Sequence, residues 1–161
     1  MTLDEMVKLA REHATRVMVG LQDDLTPAWL LITAKGDIEI FMTPWGNDRE
    51  KHLVIETMRD IMREKRATAY SMLTEAWMAC ATPEETKSGD YSGLPPSQRA
   101  DRQECVVMMA ADKAGDSRYQ SLETVREAEG KCIELRQLST VEDRFTGIFD
   151  NLLMDDRRRA N

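Results

Sequence analysis

The stretch Ala67-Thr68-Ala69-Tyr70-Ser71-Met72-Leu73-Thr74-Glu75-Ala76-Trp77-Met78-Ala79-Cys80 decides the fold. With a period of two, Tyr70, Met72, Thr74, Ala76 and Met78 alternate with Ala69, Ser71, Leu73, Glu75 and Trp77. Residues 69–81 also admit a helical reading. The aromatic residues, and the charged helical pattern that ends just before, favour one long strand from Ala67 to Cys80.

Downstream, Arg102 to Ala111 contains Glu104-Cys105-Val106-Val107-Met108-Met109-Ala110. This run is apolar without alternation, which predicts a central strand covered on both faces. Asp112 to Asp116 reads as a turn and Ser117 to Arg126 as a strand, with a helix over Leu122 to Glu129 as the alternative. A turn at Glu129-Gly130 leads to a last strand, Lys131 to Leu138. Thr140 to Asp155 reads as a helix with Phe145, Ile148, Phe149, Leu152 and Leu153 on its apolar face. Arg157, Arg158 and Arg159 follow, where cations favour the helix dipole.

Upstream, Asn47 to Lys65 reads as a helix capped by Asn47, with Glu50 three residues on. Val54, Met58, Ile61 and Lys65 form its stripe, with Leu53 and Met62 beside it. Ala28 to Thr33 and Asp37 to Met42 read as a β-hairpin about Gly36, the second strand placing Ile38, Ile40 and Met42 on one face. Thr2 to Leu21 is an amphipathic helix, opened by a Thr2/Glu5 capping box and stopped near Gly20. The order is α-β-β-α-β-β-β-β-α. It predicts an α+β fold in two layers, a mainly antiparallel sheet of about six strands with the helices packed on one face. Residues 1–161 are expected to form one domain. Residues 82–100, with Pro83, Gly89, Gly93, Pro95 and Pro96, are expected to form a long flexible loop.

The 161 residues carry 22 Lys and Arg against 29 Asp and Glu, a net charge of −7 spread over both halves of the chain. No basic stripe is present, which argues against nucleic acid as a partner. No apolar run approaches a membrane span. Met1 to Met6 lacks the pattern of a signal peptide, so a cytoplasmic protein is expected. Cys80, Cys105 and Cys132 are odd in number and widely spaced, which reads as buried free thiols rather than a disulfide framework or zinc site.

Nucleotide-binding, zinc-protease, nucleophile-elbow and calcium-loop motifs are absent, and no metal or cofactor is expected. Two histidines occur. His13 borders the apolar stripe of the first helix. His52 and Glu56, four apart on the second helix, are placed to pair. If the strands around Glu75 and Glu104 pair across the long loop, Glu75, Arg102 and Glu104 meet at one sheet end. Such a cluster gives weak acid–base candidates, since one guanidinium satisfies one carboxylate and leaves the other with a raised pKa. A cross-strand ion pair that fixes register explains the same residues. Trp45, Trp77 and Tyr91 are the candidate binding residues; core packing is the competing role for the tryptophans. The 11 methionines suit an adaptable core.

Pro44-Trp45-Gly46-Asn47-Asp48-Arg49-Glu50-Lys51, Thr74-Glu75-Ala76-Trp77-Met78 and Asp101-Arg102-Gln103-Glu104 resemble segments of small uncharacterised bacterial and phage-borne proteins. The resemblance spans about residues 25–135. It carries no catalytic role and implies an accessory protein of a phage or mobile element.

Two functional expectations follow. The first is a non-catalytic binding or assembly module working through protein contacts. The second is a small hydrolase or related enzyme built on Glu75, Arg102 and Glu104. Ala28 to Thr33 has no charge and no internal proline, so as an open edge it would invite pairing. It is therefore expected to be central, to be covered by a second subunit of a two-fold homodimer with Trp29 at the seam, or to be capped by the first helix.

Overall fold

The computed structural model describes residues 1–79, 81–89, 93–138 and 152–153. Helix α1 (Leu3–Ala14) runs into a π-helical turn, Thr15–Gly20, and the β1–β2 hairpin follows (Ala28–Ile32 and Ile38–Met42). Next come α2 (Asp48–Glu64), β3 (Ala69–Met78), the short α3 (Pro83–Ser88), β4 (Gln103–Asp112), β5 (Ser117–Arg126) and β6 (Cys132–Gln137). The strands form one six-stranded sheet in the order β2-β1-β3-β4-β5-β6, with every neighbouring pair antiparallel. The fold is α+β. The segment from Ser117 to Arg126 is a strand throughout, not a helix.

Local chemistry sets the helix starts. The Thr2 hydroxyl accepts from the Glu5 N–H at 3.2 Å and the Glu5 carboxylate accepts from the Thr2 N–H at 2.6 Å, closing the capping box. Asn47 accepts from the Glu50 N–H at 3.0 Å, and the Glu50 carboxylate returns to the Gly46 N–H at 2.6 Å. The first helix ends one residue past Gly20. It is Gln22, not Gly20, that turns left-handed, with φ 57°. The Gln22 side-chain amide donates to the Val19 carbonyl at 2.7 Å and the Cys132 carbonyl at 2.8 Å, which ties the helix end to β6.

The helices stand on both faces of the sheet rather than on one. Alternation along β3 separates Tyr70 and Met72 from Ala69 and Leu73. Tyr70 and Met72 join Trp29, Leu31, Met109 and Ala111 under Ile55, Met58 and Met62 of α2. Leu73, Val106, Met108 and Leu122 pack under Ala14 and Met18, and Ala69 and Ala110 under Met6 of α1. The reason lies in the central pair. Ala69 to Thr74 of β3 and Cys105 to Ala111 of β4 are buried without a break, so neither face can be left wet.

In α2 the buried stripe is Ile55, Met58 and Met62, while Leu53 is 60% exposed, so the helix is turned relative to the Val54–Met58–Ile61 stripe expected from its sequence. The connection over 82–100 is not wholly loop. Thr82 and Glu85 form a capping box, Pro83 takes the first helical position, and Gly89 closes α3 with φ 67°. A 3-10 turn follows at Pro96–Gln98. Arg99 donates to Glu85 at 3.2 Å and to Asp101 at 2.9 Å, tying α3 to the start of β4. The helix expected over Thr140 to Asp155 lies outside the described residues, except that Leu152 and Leu153 pack on the α2 side of the core.

β1 lies inside the sheet between β2 and β3, with Trp29 only 1% exposed, so Trp29 is a core residue and not a seam. The indole N–H donates to the Thr43 hydroxyl at 2.8 Å and the ring sits 6.4 Å from that of Tyr70.

Candidate functional site

Strand register brings two of the three acid–base candidates together. Glu75 stands opposite Val106 and Trp77 opposite Glu104, so all three acidic and aromatic side chains share the α1 face. Glu75 is half-buried beyond the end of the first helix, where its carboxylate accepts from the Leu25 N–H. Its Oε1 is buried without a hydrogen-bond partner. Burial first, then the charge of Glu104, push its pKa above the usual carboxylate range; the Arg126 charge only partly opposes them.

Arg102 is not the cation of this cluster. Its guanidinium lies over the Trp77 ring, 4.8 Å from the centroid, and donates to the Ser97 carbonyl at 2.8 Å. Glu104 is instead gripped by Arg126 of β5, Nε to Oε2 at 2.8 Å and Nη2 to Oε1 at 2.5 Å. Such a fork satisfies both oxygens of one carboxylate and leaves Glu75 as the group that holds a proton more readily. Arg126 was within reach of sequence reasoning, because it follows Leu122 and Thr124 in the two-residue period of β5. Thr124 lies on the same face, and its Oγ1 is buried without a partner.

The remaining candidates separate. Trp45 is half-buried against the α2 side of the core, Trp77 is 46% exposed, and Tyr91 lies outside the described residues. His52 donates through Nδ1–H to the Asp48 carbonyl at 2.6 Å, and Glu56 pairs with Arg59, so the His52–Glu56 pair does not form. Cys105 and Cys132 are buried free thiols, and burial raises both pKa values, that of Cys105 to about 11. Cys80 lies outside the described residues. Among the described residues no group of three or more His, Cys, Asp or Glu is placed to hold a metal ion. No helix among them is long and apolar enough to cross a membrane.

A second surface was not anticipated. α1 covers β3, β4 and β5 and packs partly against Leu30 and Ile32 of β1, but leaves β2 on the same face open. Ile40 is therefore 67% exposed, and Ile38 and Met42 51% each, although alternation places all three on one apolar side. Beside them a groove of about 540 Å³ runs between α1 and the hairpin, lined by Leu9, Leu30, Ile40, Met42 and Leu73, with His13 and Arg16 at its rim.

The two sheet edges differ. β6 carries Glu134 and Arg136, which pair at 3.0 Å, and Lys131 stands just before it; such charges blunt an edge. β2 carries one charged residue, Glu39, already paired with Lys65 at 3.1 Å. In the hairpin the Thr33 N–H donates to the Asp37 carbonyl at 3.0 Å and the Thr43 N–H to the Pro27 carbonyl at 2.8 Å. Antiparallel pairing alternates, so residues 37, 39, 41 and 43 turn their backbone groups toward β1. Ile38, Ile40 and Met42 turn theirs outward.

No family model, no curated protein and no solved structure matches the chain.

Proposed function

We propose that the protein is a non-catalytic assembly module that pairs with a second copy of itself along β2. The observation that carries this is the coincidence, at Ile38, Ile40 and Met42, of outward backbone groups and exposed apolar side chains on an edge whose one charge, Glu39, is paired with Lys65. Antiparallel pairing about a two-fold axis at Ile40 sets Ile40 against Ile40 of the second copy and Ile38 against Met42. Each of the three residues then exchanges both backbone bonds with its counterpart, and like faces like in hydrophobicity. Glu39 falls opposite Phe41, so no pair of like charges is forced together.

Sedimentation equilibrium tests it. The wild type is expected to have twice the mass of its chain, and Ile40→Lys to have the mass of one chain with an unchanged circular dichroism spectrum. A wild type of single-chain mass ends the proposal.

The orphaned Glu75 Oε1 supports a second reading, an acid–base site in which Glu75 carries the proton and the Glu104–Arg126 pair provides fixed charge. Hydrolysis of an ester, phosphate or glycoside probe that Glu75→Gln abolishes supports it; equal rates for the two proteins exclude it.

A further inference from the structure

We propose that the groove between α1 and the hairpin binds a straight-chain fatty carboxylate, with the acyl chain on the apolar floor and the carboxylate at the His13–Arg16 rim. The groove's volume, about 540 Å³, falls within the ~300–1,000 Å³ typical of small-molecule sites. Its floor is built from Leu, Ile, Met and Ala side chains with the Ser71 hydroxyl among them, and the flexible Met42 suits an unbranched chain. One rim carries the polar groups. Arg16 Nη2 lies 3.4 Å from His13 Nδ1, both on the last turns of the first helix. Glu12, the acidic residue at this rim, pairs with Lys8 at 3.9 Å. Arg16 has no carboxylate partner among the described residues.

Burial, then the Arg16 charge, hold the His13 pKa below its usual value, which favours the neutral ring. With Nδ1 accepting from the Arg16 guanidinium, the proton sits on Nε2, which becomes a second donor beside the cation. An apolar trough closed at one end by a guanidinium and an imidazole N–H fits a single carboxylate on an apolar chain. A neutral alcohol of equal length lacks the charge, and a cationic amphiphile meets repulsion. The inference does not rest on pairing through β2, because the donors belong to α1.

Calorimetric titration of the full chain with dodecanoate, below its micelle concentration, tests the proposal. Saturable binding at one site per chain is expected. Dodecanol and Arg16→Gln should each weaken binding about two- to fivefold, the range for an ion pair open to solvent. Leu9→Glu should abolish it without unfolding, because Leu9 is 42% exposed and its replacement sets a carboxylate over the trough. No binding by the wild type, equal binding of dodecanol, or unchanged binding by Leu9→Glu overturns it. Sedimentation of the same samples separates the two proposals: a single-chain mass that binds dodecanoate keeps this site and removes pairing, and a dimer that does not bind does the reverse.

Discussion

The Thr33 N–H donates to the Asp37 carbonyl across the hairpin turn at 3.0 Å, and this one bond fixes which residues of β2 face outward. A shift of one residue would turn Glu39 and Phe41 to the edge and send Ile38, Ile40 and Met42 toward α2. The position of an apolar edge thus follows from the turn, and its consequences are open to measurement.

Leu31 and Ile40 are both apolar hairpin residues, but Leu31 is fully buried and Ile40 is 67% exposed. Leu31→Lys is expected to unfold the protein, because a buried ammonium without a partner is too costly. Ile40→Lys should change thermal stability by no more than ~0.5 kcal/mol per chain once dissociated. Circular dichroism melts of both variants check this; a folded Leu31→Lys would contradict the central position of β1.

On α2, Ile55→Ala should cost about 2–4 kcal/mol and Leu53→Ala about 0.5 kcal/mol or less. Urea unfolding measures both. Equal costs would mean that the helix presents the Val54–Ile61 side instead.

Glu104 and Arg126 should show a coupling of about 1 kcal/mol in a double-mutant cycle with Glu104→Gln and Arg126→Met, the upper end for a partly exposed pair with forked geometry. Glu104→Gln with Arg102→Met should couple by less than about 0.3 kcal/mol, since Arg102 lies on Trp77. The reverse ranking would restore Arg102 to the cluster.

Glu75 gives a signed pH dependence. Its folded pKa is raised, so the folded state holds this proton more tightly than the unfolded chain does. Its contribution is most favourable below the unfolded carboxylate pKa and is lost as pH rises through the folded value. Glu75→Gln should therefore melt above wild type at pH 7, with the advantage shrinking toward pH 4. An advantage that grows on acidification would mean that Glu75 is stabilised as a carboxylate.

How much of this was legible in sequence depended on how local each cause is. The caps at Thr2 and Asn47 rest on contacts three residues apart, and they form as read. The same pattern, Thr82 with Glu85, is masked in sequence by the surrounding prolines and glycines, which read as loop. The unbroken apolar run of β4 correctly implied two covered faces, which already conflicts with helices on one side. Two amphipathic helices do not state which side of a sheet each will take, because that depends on how the chain crosses it. Arg126 was missed for a similar reason: pairing β3 with β4 places Glu75 near Glu104, but the cation comes from the next strand over. The exposed Ile38, Ile40 and Met42 defeat the usual inference from alternation, since α1 is placed over β3 to β5 and does not reach them.

Cross-linking through an introduced cysteine tests self-pairing most directly. A two-fold axis at Ile40 puts the two Cα atoms of residue 40 about 5.5 Å apart, within reach of a short bifunctional thiol reagent. The two copies of residue 38 are then about 14 Å apart, four residues along a strand. Ile40→Cys in a Cys80→Ser background, where Cys105 and Cys132 are buried, should be joined rapidly by that reagent to a covalent dimer on denaturing gels, and Ile38→Cys should not. Cross-linking of Ile38→Cys as readily as Ile40→Cys, or of neither, would contradict the account.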